Sequence, residues 1–119
     1  MRVLVVDDDA MVRRLLRTLV ERDGHEVVQA EDGADGWRRL TGPVPPDLLI
    51  LDRMLPDMDG AELLRRARAD QRTATLPVLL LTAAARQSAE LDDGALTRIL
   101  AKPFDLAEFR ELLAEFAAR

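Results

Sequence analysis

The sequence has no cysteine and no tyrosine, and only one tryptophan and one histidine. Without thiols, a disulfide framework, a cysteine-ligated metal and a thiolate nucleophile are excluded, and a reducing, cytoplasmic setting is favoured. His25 has no partner ligand nearby and reads as a structural or surface residue. No apolar run is long enough to span a membrane. The opening MRVLVVDDD meets three acids after a short apolar stretch, which is also too short for a signal peptide. Long linkers, low-complexity tracts and internal repeats are missing. Basic charge falls short of acidic charge: 17 Lys and Arg against 22 Asp and Glu give a net charge of −5. That acidic balance argues against direct nucleic-acid binding. Lysine occurs once, as Lys102.

What is present is alternation. The 119 residues fit one domain, 1–119, large enough to bury roughly two thirds of the surface its unfolded form exposes. Val3 to Val6 is an apolar run that ends on Asp7, Asp8 and Asp9. A helix follows from about Ala10 to Arg22, with Val12, Leu15, Leu16, Leu19 and Val20 at spacing three and four, Asp9 as its cap and Gly24 at its end. His25 to Ala30 reads as a more polar edge strand. A short helix with Trp37, read as a packing anchor, and Leu40 precedes a Gly- and Pro-rich turn. Leu48 to Leu51 is a continuous apolar run closed by Asp52, and Gly60 to Ala69 gives another helix. Pro77 to Thr82 is a fourth apolar run, and Ala83 to Asp92 is helix-compatible but poorly supplied with apolar side chains. Arg98 to Ala101 is a fifth strand ending on Lys102. Asp105 caps a closing helix with Leu106, Phe109, Leu112, Leu113 and Phe116 on one face. Five such alternations predict an α/β fold with a parallel sheet and helices on both faces.

The strand ends carry the chemistry. An aspartate at one strand end is ordinarily a turn former, but four of the five strands end in polar groups: Asp7 with Asp8, Asp52, Thr82 and Lys102. In open parallel sheets ligands collect at the carboxyl edge. Adjacent carboxylates repel and call for a cation. Oxygen donors without histidine or thiol suit Mg²⁺. Metal, ammonium and hydroxyl together meet the needs of a phosphoryl group, with Asp52 as the nucleophile that forms an acyl phosphate.

With LVVDDD, LLILD followed by MLPDMDG, LLLTA and AKPF in order, the chain resembles a response-regulator receiver domain over its whole length. The resemblance implies a flavodoxin-like doubly wound sheet of order 2-1-3-4-5, phosphorylated by a sensor histidine kinase or phosphotransfer protein. It implies Asp52 as phosphoacceptor and Asp8 as a direct Mg²⁺ ligand, with Asp7 commonly acting through water. The Met54 carbonyl is the third protein ligand, Thr82 the switch hydroxyl and Lys102 the phosphate-pairing lysine. A cis Lys102–Pro103 bond is also implied. As a regulatory phosphoacceptor the chain is expected not to be an enzyme beyond slow self-dephosphorylation. Its output is expected through a downstream protein or a missing effector domain, with a homodimer on phosphorylation as a further option.

Two departures stand out. Ile99 occupies the place of the aromatic switch residue that the family carries ahead of its lysine. The stretch from Thr82 to Lys102 is shorter than usual, which predicts a short or mobile fourth helix and an altered output face. Met54 and Ala84, beside the phosphoryl position, cannot orient an attacking water, so self-dephosphorylation is expected to be slow. Two other readings compete: a degenerate receiver that binds partners without phosphorylation, and a phosphatase of the haloacid dehalogenase type. The first lacks its usual signature, loss of the acids or the lysine. The second calls for a hydroxyl residue after Asp9 and a substrate-capping insert, and neither is present.

Overall fold

The alternating apolar and amphipathic stretches become strands and helices of one sheet in the computed structural model, which describes residues 1–118. Strand β1 (Arg2–Val6), helix α1 (Ala10–Arg22), β2 (Glu26–Ala30), α2 (Gly33–Leu40) and β3 (Leu48–Asp52) make up the first half. Helix α3 (Gly60–Ala69), β4 (Val78–Thr82), a short helix α4 (Ala85–Ser88) running into a 3-10 turn (Ala89–Leu91), β5 (Thr97–Ala101) and α5 (Leu106–Ala117) follow. All neighbouring strands pair in parallel, in the order β2-β1-β3-β4-β5. This is the flavodoxin-like doubly wound arrangement. No helix among the described residues is long and apolar enough to cross a membrane.

Strands β3 and β4 are continuous apolar runs because both their faces are covered. Their side chains alternate between two cores. Val3, Val5, Leu48, Ile50, Leu79 and Leu81 meet Leu16 and Val20 of α1 and Phe109, Leu113 and Phe116 of α5. Leu4, Val6, Leu49, Leu51, Val78 and Leu80 meet Leu40 of α2 and Leu63 and Leu64 of α3, with Trp37 packed alongside as a partly buried anchor. Each fully buried aliphatic side chain contributes about 1.5–3 kcal/mol, so the two cores fix the sheet edge on which the polar strand ends gather.

Asp9, Asp32, Asp59 and Asp105 each cap a helix through their side chains, worth about 1 kcal/mol apiece. These acids have a structural duty; Asp7, Asp8 and Asp52 have no such cap to make. The second strand starts one residue later than expected, at Glu26. The His25 amide still bonds the Val20 carbonyl of α1 (3.3 Å), and its ring meets the N-terminal ammonium through Nδ1 (3.0 Å).

The fourth helix is short, as the shortened, weakly apolar stretch between Thr82 and Lys102 predicts. Four residues form α4, its N-cap position Ala84 makes no side-chain cap bond, and the chain continues as a 3-10 turn. With no apolar stripe to bury, only Leu91 of this segment joins the partly buried hydrophobics packed against the second core, as Ile99 of β5 also does. Strand β5 lies at the sheet edge. Its Thr97 and Ile99 amides donate to the carboxylates of Asp93 (2.9 Å) and Asp92 (3.0 Å), and its Arg98 reaches both carboxylate oxygens of Glu115 on α5 at 3.0 Å.

Candidate functional site

Register builds the site. β1 and β3 are neighbours, with Val6 opposite Leu51, so the next residues, Asp7 and Asp52, leave the sheet side by side. Asp52 lies opposite Leu81, and Thr82 opposite Ala101, which brings Thr82 and Lys102 to the same edge. The strand order reverses between β1 and β3, and it is at such a switch point that open α/β sheets leave a crevice.

One carboxylate oxygen from each of Asp7, Asp8 and Asp52 lies within 4.8 Å of the others. Asp7 and Asp52 are buried, at 1% and 5% exposure, while Asp8 is open to solvent. The Lys102 ammonium donates to Asp7 Oδ2 at 3.1 Å and lies 3.2 Å from Asp52 Oδ2. Main-chain bonds fix both acids: Asp9 N–H donates to Asp7 Oδ1 (2.8 Å), and Met54 N–H to Asp52 Oδ1 (3.2 Å). Arg13 of α1 donates to the Asp7 carbonyl (2.6 Å).

Burial, and then the negative charge of Asp7, hold the Asp52 carboxyl above the usual carboxylate range against the opposing pull of Lys102. For Lys102, burial pulls downward, but the hydrogen bond and charge of Asp7 together with Asp52 outweigh it and raise the ammonium's pKa. Lys102 is therefore a permanent cation at neutral pH. Three carboxylates that offer only oxygen donors, two of them paired with the one ammonium, fit a hard divalent cation such as Mg²⁺. Thr82 is buried, and its hydroxyl oxygen accepts Ala84 N–H (3.0 Å), leaving the hydroxyl hydrogen for another acceptor. The Lys102 amide bonds the Thr82 carbonyl (2.9 Å), and the Lys102–Pro103 bond is cis.

The loop after β3 closes tightly on Asp52. Gly60 N–H donates to the Arg53 carbonyl (2.6 Å), and Met54 forms an antiparallel bridge with Asp59. A Cβ at position 60 would lie 2.4 Å from the Asp52 carbonyl oxygen, so only glycine lets α3 start there.

All the sequence-derived residues thus reach one edge: Asp7, Asp8, Asp52, Thr82 and Lys102 converge, and Met54 follows Asp52 in the loop. Two residues escape the sequence reading. Arg53 bonds the buried Ser88 hydroxyl of α4 and lies 3.2 Å from Asp59. Asp57 bonds the start of α2. Their signal, an arginine and an acid flanking the MLP of the loop, carries no hint of partners that lie in other elements.

Residues 3–114 match the family model described as the response regulator receiver domain. The DNA-binding dual master transcriptional regulator RpaA of Synechocystis sp. is 40% identical over 109 residues, which is 90% of this chain and 45% of that protein. The chain thus spans less than half of that relative's length. A chemotaxis protein CheY homolog of Campylobacter jejuni is 30% identical over 97% of this chain and 91% of its own. Among solved structures, the response regulator protein TrrA of Thermotoga maritima, in complex with Mg(2+)-BeF, superposes with a TM-score of 0.83 at 28% identity, covering 97% of each chain.

Proposed function

Since the chain belongs to the response regulator receiver domain family of two-component signalling, we propose that it is a phosphorylation-dependent switch with Asp52 as phosphoacceptor, its residues 1–119 forming one receiver domain. The family is regulatory rather than enzymatic in the ordinary sense. The observation that carries the reading is the gathering of Asp7, Asp8 and Asp52 within 4.8 Å, with Lys102 bridging the two buried acids.

In this reading a carboxylate oxygen of Asp52 attacks the phosphorus of a phosphohistidine on a sensor kinase or phosphotransfer protein. The N–P bond breaks, and the imidazole leaves with its electron pair. Asp7, Asp8, Asp52 and the Met54 carbonyl would hold Mg²⁺, which supplies neutralisation of the phosphoryl oxygens. Lys102, already 3.2 Å from Asp52, turns its ammonium to a phosphoryl oxygen, and the free hydrogen of the Thr82 hydroxyl donates to another. Loss of the Lys102 bond to Asp7 and a turn of Thr82 away from Ala84 then pass the change to the β4–α4 segment. With Ile99 in the aromatic's place and packed against the core, that change has no aromatic side chain to relay it, and the short α4 gives the output face a different shape. Met54 and Ala84 offer no group to orient water, so the acyl phosphate is long-lived. The setting is cytoplasmic, and the output passes to a partner protein or to an effector domain, as the length of the transcriptional relatives suggests; a homodimer on phosphorylation is a further route. The intact arrangement of acids and lysine speaks against a degenerate receiver.

Intact mass after incubation with Mg²⁺ and acetyl phosphate tests the reading, for this chain and for Asp52→Asn. A single phosphate adduct that needs Mg²⁺ and is absent in the variant is expected. A chain that stays unmodified at saturating Mg²⁺ overturns it in favour of the degenerate receiver.

A further inference from the structure

The cation site draws on two chain segments. Asp7 and Asp8 follow β1, whereas Asp52 and Met54 belong to β3 and the loop behind it. A cation held by both segments needs them at a fixed separation, so whatever fixes the loop sets the affinity. The base of the loop is closed by its own atoms: the Gly60 amide on the Arg53 carbonyl, the Met54–Asp59 bridge, and Arg53 Nε at 3.2 Å from Asp59. A ring closed only at its base can still pivot about the end of β3.

At the tip, Asp57 reaches across to α2. Gly33 N–H donates to its Oδ1 at 2.8 Å and Ala34 N–H to its Oδ2 at 2.9 Å. These first-turn amides have no acceptor within their own helix. Helix α2 already has a cap, Asp32, whose carboxylate takes the Asp35 amide at 2.8 Å. The helix start is therefore capped twice, once from its own chain and once by the metal-side loop. Beside Asp57, Met58 covers Gly33 so closely that a Cβ there would lie 2.5 Å from its sulfur. The approach of the loop to α2 is thus built into both partners. The start of α2 is in turn anchored to the acids, because the carbonyl of Ala30 at the end of β2 accepts Asp7 N–H at 3.2 Å. A continuous path of short contacts runs from Asp7 through Ala30, the α2 start and Asp57 to the loop of Met54.

We propose that Asp57 is a positioning residue: by bonding the Gly33 and Ala34 amides with its two oxygens, it holds the Met54 loop at the distance from Asp7 and Asp8 that a divalent cation requires. The proposal rests on the reading of this site as a Mg²⁺-dependent phosphoacceptor. The Gly33 amide, foremost among its hydrogen bonds, keeps the Asp57 carboxyl below the usual range, so the clamp is charged at neutral pH.

Calorimetric titration with Mg²⁺ tests it, with no phosphodonor present, on wild type, Asp57→Asn, Asp57→Ala and Asp32→Ala. Amide hydrogen exchange at Gly33 and Ala34 is followed in the same variants. Removal of groups that orient metal ligands typically weakens affinity by about tenfold or more, and that loss is expected for Asp57→Ala together with faster exchange at both amides. Asp57→Asn falls between, because its amide oxygen accepts only one of the two bonds. Asp32→Ala is the control: it removes the other cap, on the Asp35 amide, and lowers the urea midpoint, while the Gly33 and Ala34 bonds to Asp57 and the Mg²⁺ affinity stay at the wild-type level. Unchanged affinity in Asp57→Ala despite deprotected amides, or an equal loss in Asp32→Ala, overturns the clamp while leaving the phosphoacceptor reading in place. Failure of the wild type itself to bind Mg²⁺ sinks both.

Discussion

Replacing Asp52 by asparagine should stabilise the fold when no divalent cation is present. Asp52 is buried next to Asp7, with Lys102 at 3.2 Å. At an effective dielectric of about 20, the Lys102 attraction amounts to about 5 kcal/mol, and the Asp7 repulsion, across at most 4.8 Å, to about 3 kcal/mol or more. Exposed Asp8 adds little to this. The surplus of about 2 kcal/mol does not offset the several kcal/mol that removing a carboxylate from water costs, consistent with the upward displacement of its pKa. Asp52→Asn keeps the shape and an acceptor for Lys102 but removes the charge. We therefore expect it to unfold at higher urea, by about 1–2 kcal/mol, in buffer with a chelator.

The pH dependence follows from the sign of the shift. A carboxyl whose folded pKa is raised costs nothing below its unfolded value of 3.8. The cost grows as pH rises through that value and is complete above the folded pKa. The two proteins should therefore converge in acid and separate towards neutrality. Excess Mg²⁺ should reverse the order, since a ligand at one hundred times its dissociation constant adds about 2.7 kcal/mol to the form that binds it. Urea melts at several pH values, with chelator and with Mg²⁺, read all three effects. An Asp52→Asn protein equal to or weaker than wild type at neutral pH in chelator would refute the argument that the site is held under electrostatic tension.

Three other outcomes are expected. Lys102→Met leaves Asp7 and Asp52 without their cation and should lower the unfolding free energy in chelator by about 3 kcal/mol, with part of the loss recovered in Mg²⁺; equal urea midpoints for the two proteins would mean that the ion pairs contribute nothing. Gly60→Ala sets a Cβ 2.4 Å from the Asp52 carbonyl oxygen and 2.8 Å from Arg53 Cα. Backbone cannot yield there as a side chain would, so we expect a loss of about 3 kcal/mol and a reduced phosphate adduct, checked by melts and intact mass. For phosphoprotein lifetime, Met54→Asn places a polar group where water must approach, and it should shorten the lifetime of the adduct by at least about tenfold; decay at the wild-type rate would show that Met54 does not protect the acyl phosphate.

The parts of the fold that the sequence reveals are those governed by local pattern. The runs Leu48–Leu51 and Val78–Leu81 are apolar because both sheet faces are covered, and that signal survives in the sequence unaided. The site was legible for the same reason: its residues sit at strand ends, and the alternation of elements alone brings strand ends together. Registration across the sheet was not. Nothing in three successive aspartates distinguishes the buried Asp7, bonded to Lys102, from the solvent-facing Asp8, because burial depends on where α1 and β5 come to lie. Asp57 and Arg53 stayed hidden for a related reason, since their partners Gly33 and Ser88 are distant in the chain. The brevity of α4 was readable as a shortage of apolar residues, but its continuation as a 3-10 turn was not.

The carboxylates of Asp92 and Asp93 on the outer side of β5 have a bearing on assembly. A parallel sheet with an open margin is a template on which another chain can lay a further strand. Here the Thr97 and Ile99 amides that such a strand would recruit are already engaged by side chains of the preceding turn. An incoming backbone would have to displace two anions to extend the ladder. Copies of this chain are thereby steered away from growing into a shared sheet along this flank, and any association there must be made by side chains rather than by an extended ladder.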